Sequence, residues 1–215
     1  MATKKQAVKA PGGRQAAYAA RNRAALVRAG QEVLAEIGPR ATIEQLSTHA
    51  KVSPTTIYKY FENKDALFIE AVNEAWESWL TWANQEREVG DPLERTLDTG
   101  RKLFFAKKTH PFFAKILRNV LREDPYVVIQ SDQGAGAVVF KKLATAGLIK
   151  LDDFENRYLL WTSMYAGLCR SVFFTEELTP KEANEAFGIG LSIWGISDAK
   201  AKKIISRPLV FPPTK

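Results

Sequence analysis

Cysteine, histidine and long apolar runs are all scarce in this chain. A single cysteine among 215 residues, Cys169, excludes an internal disulfide framework and any four-cysteine zinc site. Two histidines, His49 and His110, are too few for a multi-histidine catalytic metal centre. No apolar stretch approaches the roughly 20 residues that a bilayer crossing needs. None follows the basic opening MATKKQAVKAPGGRQ either, so that segment does not read as a secretory signal. GxSxG, GxGxxG, P-loop and HExxH patterns are absent. His110 stands before Pro111 at a helix start, and Cys169 lies in the most apolar segment with no histidine near it. Both positions suit structure better than catalysis. The expectation is a non-enzyme without cofactor or metal, in the reducing cytoplasm.

What is present is positive charge, unevenly placed. The chain carries 31 Lys/Arg against 24 Asp/Glu, a net +7. Residues 1–62 hold ten of those basic residues and only four acids, and the remainder is nearly balanced. Lys4, Lys5, Lys9 and Arg14 precede any acid at all. A basic end on a neutral body is the footprint of a polyanion binder, although a solubilising tail has the same composition. Hydrophobic residues make up 46% and charged residues 26%, ordinary values for a globule with a sizeable core.

The apolar pattern is helical almost throughout, which makes all-α the expected class. Pro11-Gly12-Gly13 argues against continuous helix in the first twenty residues, read here as a basic flexible arm (1–20). From Arg21, Leu26, Ala29, Val33 and Ile37 recur at three-to-four spacing until Gly38-Pro39. Thr42, with Gln45 three residues on, reads as a capping box opening a short helix faced by Ile43, Leu46 and Ala50. Lys51-Val52 then turns to Ser53 as N-cap and Pro54 at the first position of a third short helix. A long amphipathic helix runs from about Lys64 into the eighties. Further helices are expected at 92–108, 111–122, 126–146, 152–175 and 180–195, followed by a C-terminal tail (198–215). No segment alternates in the way a sheet requires.

Two short helices joined by a tight turn, behind a longer helix and inside the basic end, describe a helix-turn-helix over 42–61 within a head of 21–63. Ile43, Leu46, Ala50, Val52, Ile57 and Phe61 meet in one small core if the helices cross steeply. Thr55, Thr56, Tyr58, Lys59 and Tyr60 are then left on or near the outward face, with no carboxylate within 53–61 to repel phosphate. Such a helix fits the roughly 12 Å major groove, its Ser53-capped N-terminus favourable to phosphate.

The stretch TIEQLSTHAKVSPTTIYKYFENKDAL (42–67), preceded by EVLAEIG (32–38), resembles the DNA-binding signature of the TetR (tetracycline-repressor-like) regulators. Val52-Ser53, Ile57-Tyr58, Phe61, Lys64 and Leu67 carry the match. Lys51 stands where the family usually has glycine, so the turn is expected to be strained or differently arranged there. Tyr60 replaces a common histidine, and Pro54 is unusual for a recognition helix. The resemblance implies that Thr42, Tyr58 and Lys64 hold phosphates, while Thr55, Thr56, Lys59 and Tyr60 face base edges. It also implies that 64–197 form a ligand-binding and dimerisation domain, and that double-stranded DNA, a small-molecule effector and a second copy of the chain are the partners.

The residues of that region permit the same reading. Trp76, Trp79, Trp82, Phe104, Phe105, Phe112, Phe113, Trp161 and Tyr165 exceed what a helical core of this size usually requires. Trp79, Trp82, Phe105, Phe112, Phe113, Trp161 and Tyr165 are the candidate ligand contacts, and an apolar or aromatic ligand is expected. The resemblance implies a two-fold helix pairing through about 152–195, with Leu159, Ala166, Phe173, Phe187, Leu191 and Trp194 as candidate seam residues. A repressor released from a palindromic operator is the function that follows. The alternative is a DNA-binding protein without a sensor, whose body would be solid. A membrane-surface role lacks the amphipathic basic helix it would need at 1–20.

Overall fold

The computed structural model describes residues 13–85, 91–123 and 135–213, and among them every regular element is helical. The head comprises α1 (Gly13–Glu36), α2 (Ile43–Ala50) and α3 (Pro54–Tyr58). α4 (Lys64–Ala83) leads into α5 (Pro92–Leu103), the single turn α6 (Ala106–Thr109) and α7 (Pro111–Glu123). The body closes with α8 (Ala135–Thr145), α9 (Phe154–Phe173), α10 (Pro180–Gly190), a 3-10 turn at Leu191–Trp194, and α11 (Asp198–Ser206).

Local chemistry sets most boundaries. Thr42 and Gln45 exchange the two hydrogen bonds of a capping box (Gln45 N to Thr42 Oγ1 3.3 Å, Thr42 N to Gln45 Oε1 2.8 Å). Ser53, Asn63 and Ser197 each accept from a backbone N–H in the first turn of the helix they open. Thr179 and Glu182 form a second capping box at α10. Gly38 ends α1 with φ 98°, a left-handed conformation that glycine adopts without a Cβ penalty.

Three expectations are corrected, and a fourth is met only in part. α1 begins at Gly13, so residues 13–20 are helical rather than a flexible arm. The alanine-rich run there has enough intrinsic propensity to extend the helix although all eight residues are exposed; residues 1–12 lie outside the described residues. The helix expected at 92–108 breaks at Phe104-Phe105, where the bend seats Phe104 wholly inside the core. The expected tail contains α11, and residues beyond it are tied down as well. Part of the helix expected at 126–146 falls outside the described residues, and α8 covers its second half.

Two cores organise the molecule. The head core gathers Leu26, Val33, Leu34, Leu46, Ile57 and Phe61 with Leu67, Phe68, Ala71 and Val72 of α4, and with Ile116 and Val120 of α7. The body core begins at Trp79 and runs through α5, α7, α8, α9, α10 and α11. The packing divide thus falls within α4 rather than at residue 63, and α7 also contributes to both sides. Asn119 of α7 donates to the carbonyls of Leu34 and Ala35 (2.9 and 3.0 Å), satisfying the C-terminal end of α1.

The C-terminal segment is a strap. Arg101, buried in α5, donates to Asn184 and to the carbonyls of Ile204, Ile205 and Arg207. Arg207 pairs with Glu94 and Asp98. Further on, Trp82 donates its indole N–H to the Pro213 carbonyl (3.1 Å), and Phe211 packs against Trp82 and Phe105.

Candidate nucleic-acid interface and interior cavity

The turn between α2 and α3 is made by Lys51, whose backbone is left-handed (φ 54°, ψ 41°) and whose N–H returns to Thr48 O at 3.2 Å. Val52 N bonds Ser47 O at 3.0 Å, closing the turn. α3 then projects from the head with Ile57 fully buried as its anchor. Thr55, Tyr58 and Lys59 are exposed, Tyr58 to 52%. Thr56 is half-buried, and its hydroxyl lies 2.9 Å from the Ser53 hydroxyl, itself exposed as the cap.

Three candidate contacts carry structural duties instead of, or besides, the expected ones. Lys64 donates to the carbonyls of Pro39 and Ala41 (both 3.0 Å), tying the α1–α2 connection to the start of α4. Two of the three N–H donors of its ammonium are thus used within the protein, while the side chain stays part-exposed beside Asp65. Tyr60 is half-buried, its hydroxyl accepting from Asn22 (3.0 Å) and its carbonyl from Arg23. Arg23 also pairs with Glu70 and stacks over Phe61 at 4.2 Å, so α1 buttresses the end of α3. Thr42 is exposed, but its oxygen caps α2, and its hydroxyl holds the Glu44 carboxyl below the ordinary carboxylate range. Asn22 and Arg23 were not legible beforehand, because their partners lie 37 or more residues away.

In the body, a cavity of about 610 Å³ opens between the second half of α4, α5, α8 and α9. Trp76, Trp79, Phe140, Tyr158, Trp161, Tyr165 and Phe187 form most of its apolar wall. Asn84, Arg95, Thr96, Thr99, Lys142 and Thr162 supply polar lining. The Tyr165 hydroxyl donates to Gly100 O at 2.9 Å, which fixes that ring in the wall.

Of the expected ligand contacts, Trp79, Trp161 and Tyr165 line this cavity. Trp82, Phe105, Phe112 and Phe113 do not. Trp82 and Phe105 are held by the C-terminal strap, and Phe112 points to solvent. Phe113 stacks on Trp79 from outside the lining, centroids 5.8 Å apart. Phe140, Tyr158 and Phe187 take their places, and nothing in their local sequence distinguishes them from core aromatics.

The candidate dimer seam also changes. Phe173, Phe187, Leu191 and Trp194 are fully buried inside the subunit, and Ala166 is buried too. Leu159 is exposed to 62%, Leu160 to 60% and Ile189 to 78%, so an apolar outer face remains on α9 and α10. Cys169 is wholly buried, which pushes its thiol up to about 12 and leaves it protonated at neutral pH. Burial against Trp82 pushes the His110 imidazole below its ordinary range. No cluster of metal-ligating side chains occurs among the described residues, and no helix among them is long and apolar enough to cross a membrane.

A short three-helix head with a projecting, capped second helix of the turn defines the helix-turn-helix class of DNA-binding transcriptional regulators. Residues 26–71 match the model of the bacterial regulatory proteins of the tetR family. The HTH-type transcriptional regulator RutR of Escherichia coli K12 is 26% identical over 166 residues, spanning 73% of this chain and 78% of RutR. Among solved structures, RolR in complex with resorcinol superposes with a TM-score of 0.69 at 18% identity, over 93% of this chain and all of RolR. A TetR-family regulator from Streptomyces coelicolor gives 0.53 at 18% identity, over 94% of this chain and 100% of that one. Residues 26–71 are thus similar to the DNA-binding region of the tetR family, and the fold of the chain is that of solved TetR-family regulators.

Proposed function

We propose that this regulator is a repressor that reads a palindromic operator as a homodimer and is released when a small apolar or aromatic molecule enters the cavity. One observation carries the reading: α4 belongs to both cores. Its first half packs Leu67 to Val72 into the head, while Trp76 and Trp79 of its second half stand in the cavity wall. A ligand pressing on those indoles acts on the helix that positions the reading head. α7 offers a parallel connection, since Phe113 packs on both indoles and Asn119 holds the end of α1. RolR, of the same fold, has been solved with resorcinol, a small aromatic, which supports an aromatic effector here.

In this reading Thr55, Thr56 and Lys59 meet base edges, and Thr42, Ser53 and Tyr58 lie along phosphates. Tyr60 sets the end of α3 rather than reading a base. The exposed face of Leu159, Leu160 and Ile189 supports a two-fold contact between copies, which sets two heads about 34 Å apart on successive major-groove faces. Ligand and operator then weaken each other by one shared factor, typically 1–3 kcal/mol.

Selection of bound sequences from a random duplex pool tests the reading. An inverted repeat is expected. Lys59→Ala should relax preference at one position per half-site, and Tyr58→Phe should weaken all sequences alike. Recovery of no preferred sequence, or of a lone half-site, defeats the proposal.

A further inference from the structure

We infer that Arg23 of α1 is the positioning residue of the recognition segment and that Glu70 of α4 holds it to that task, so that an acidic side chain is needed for operator reading; this rests on Thr55, Thr56 and Lys59 meeting base edges. α3 is five residues long, too short to hold its own direction. Ser53 caps its first turn and Ile57 anchors its middle, but the end that follows Lys59 depends on α1. Asn22 donates to the Tyr60 hydroxyl at 3.0 Å, and the next residue, Arg23, donates from Nη1 to the Tyr60 carbonyl. Side chain and main chain of Tyr60 are thus held by neighbours on one helix.

Glu70 decides where that guanidinium points. Arg23 Nε donates to Glu70 Oε1 at 2.9 Å and Nη2 donates to Oε2, a two-pronged pairing that leaves Nη1 directed at Tyr60. The guanidinium carbon lies over the Phe61 ring, 4.2 Å from its centroid. The frame behind the pair is close-packed: at Gly30 of α1 a Cβ would stand 2.4 Å from Leu67 Cδ2 and 3.3 Å from Ala71 Cβ, both on α4. Without Glu70, an arginine whose side chain is 41% exposed is free to turn to solvent or to a phosphate. Tyr60 then loses its hold, and Lys59 beside it loses its fixed placement. Base-edge hydrogen bonds are directional and tolerate little displacement, whereas sequence-independent attraction to phosphates survives it.

Titration of the full chain with the duplex that the wild type selects, and with a scrambled duplex of the same length, tests this. Glu70→Gln is expected to weaken operator binding at least ~10-fold while the scrambled duplex is bound as before. Electrostatics alone demands the opposite sign, because one anion fewer on the head strengthens attraction to any polyanion. Arg23→Gln should lose as much preference, and the double variant no more than Arg23→Gln, since Glu70 acts through Arg23. An ion pair this exposed contributes little to stability, so Glu70→Gln keeps its fold, and its two titrations decide even where Arg23→Gln does not fold. Unchanged or tighter operator binding by Glu70→Gln, equal loss on both duplexes, or losses that multiply in the double variant overturn the assignment. A wild type that selects no sequence defeats the DNA reading itself, and the inference with it.

Discussion

Lys64 shows how one side chain can carry a structural duty that its local sequence does not announce. It sits at the first position of α4, beside the DNA-reading unit, where a cation suits a phosphate. Its ammonium instead satisfies the carbonyls of Pro39 and Ala41, the latter residue fully buried. Lys64→Met should therefore destabilise the fold by about 1–3 kcal/mol, because two carbonyls lose a charged donor. The salt dependence of operator binding should stay unchanged, whereas loss of a true phosphate contact would lower the slope of log K against log salt by about 0.9. Urea melts and a salt titration of operator binding read the two effects apart. Lys51 was more transparent. A lysine where the family usually has glycine led to the expectation of a strained or differently arranged turn, and a left-handed backbone with φ 54° is the outcome. The caps at Thr42 and Ser53 are equally plain, since each bond spans three residues and depends on nothing remote.

Among the elements, α5 and the C-terminal strap depend on one another most strongly. Arg101 is the tie, buried and donating to Asp98, Asn184 and three carbonyls from the end of α11 and beyond. Burial pushes its guanidinium down and Asp98 opposes that shift, so the charge is kept by its partners. Arg101→Met should lower the free energy of unfolding by about 3–5 kcal/mol, seen as an earlier urea midpoint, because the carbonyls of Ile204, Ile205 and Arg207 lose a buried charged donor and Asp98 loses one of its partners. None of this was legible beforehand. The strap lies more than 100 residues from Arg101, and a short charged helix near a terminus reads locally as solvated. The break between α5 and α6 was hidden for a related reason: Phe104-Phe105 is compatible with helix, and only the demand for burial bends it.

For the molecule as a whole, the apolar residues left outside matter as much as those inside. Leu159, Leu160 and Ile189 are mostly exposed, although α9 and α10 are otherwise packed by Trp161, Phe187 and Trp194. Leu160→Glu should leave the far-ultraviolet circular dichroism unchanged, since the side chain is already exposed. It should convert a dimer to a monomer in sedimentation and weaken binding to a two-half-site operator at least ~10-fold, because one head reads too few base pairs. A monomeric wild type, or a variant that stays dimeric with full affinity, would contradict that assignment. Of the candidate seam residues Leu159 stays outside while Ala166, Phe173, Phe187, Leu191 and Trp194 are buried, because apolar residues at helical spacing mark a buried face without saying whether the cover is the same chain or a second one.

Short-range chemistry in the sequence already determined the helical class, the caps at Thr42 and Ser53, the tight turn at Lys51-Val52 and the outward set of Thr55, Tyr58 and Lys59. Caps, turns and periodicity operate over three or four residues, so their outcome is written locally. Tertiary packing alone decided which aromatics enclose space and which fill it, where Lys64 spends its charge, and that α4 serves two cores. Those outcomes depend on which helices meet across tens of residues of chain, and burial is a property of the assembled surface rather than of any segment.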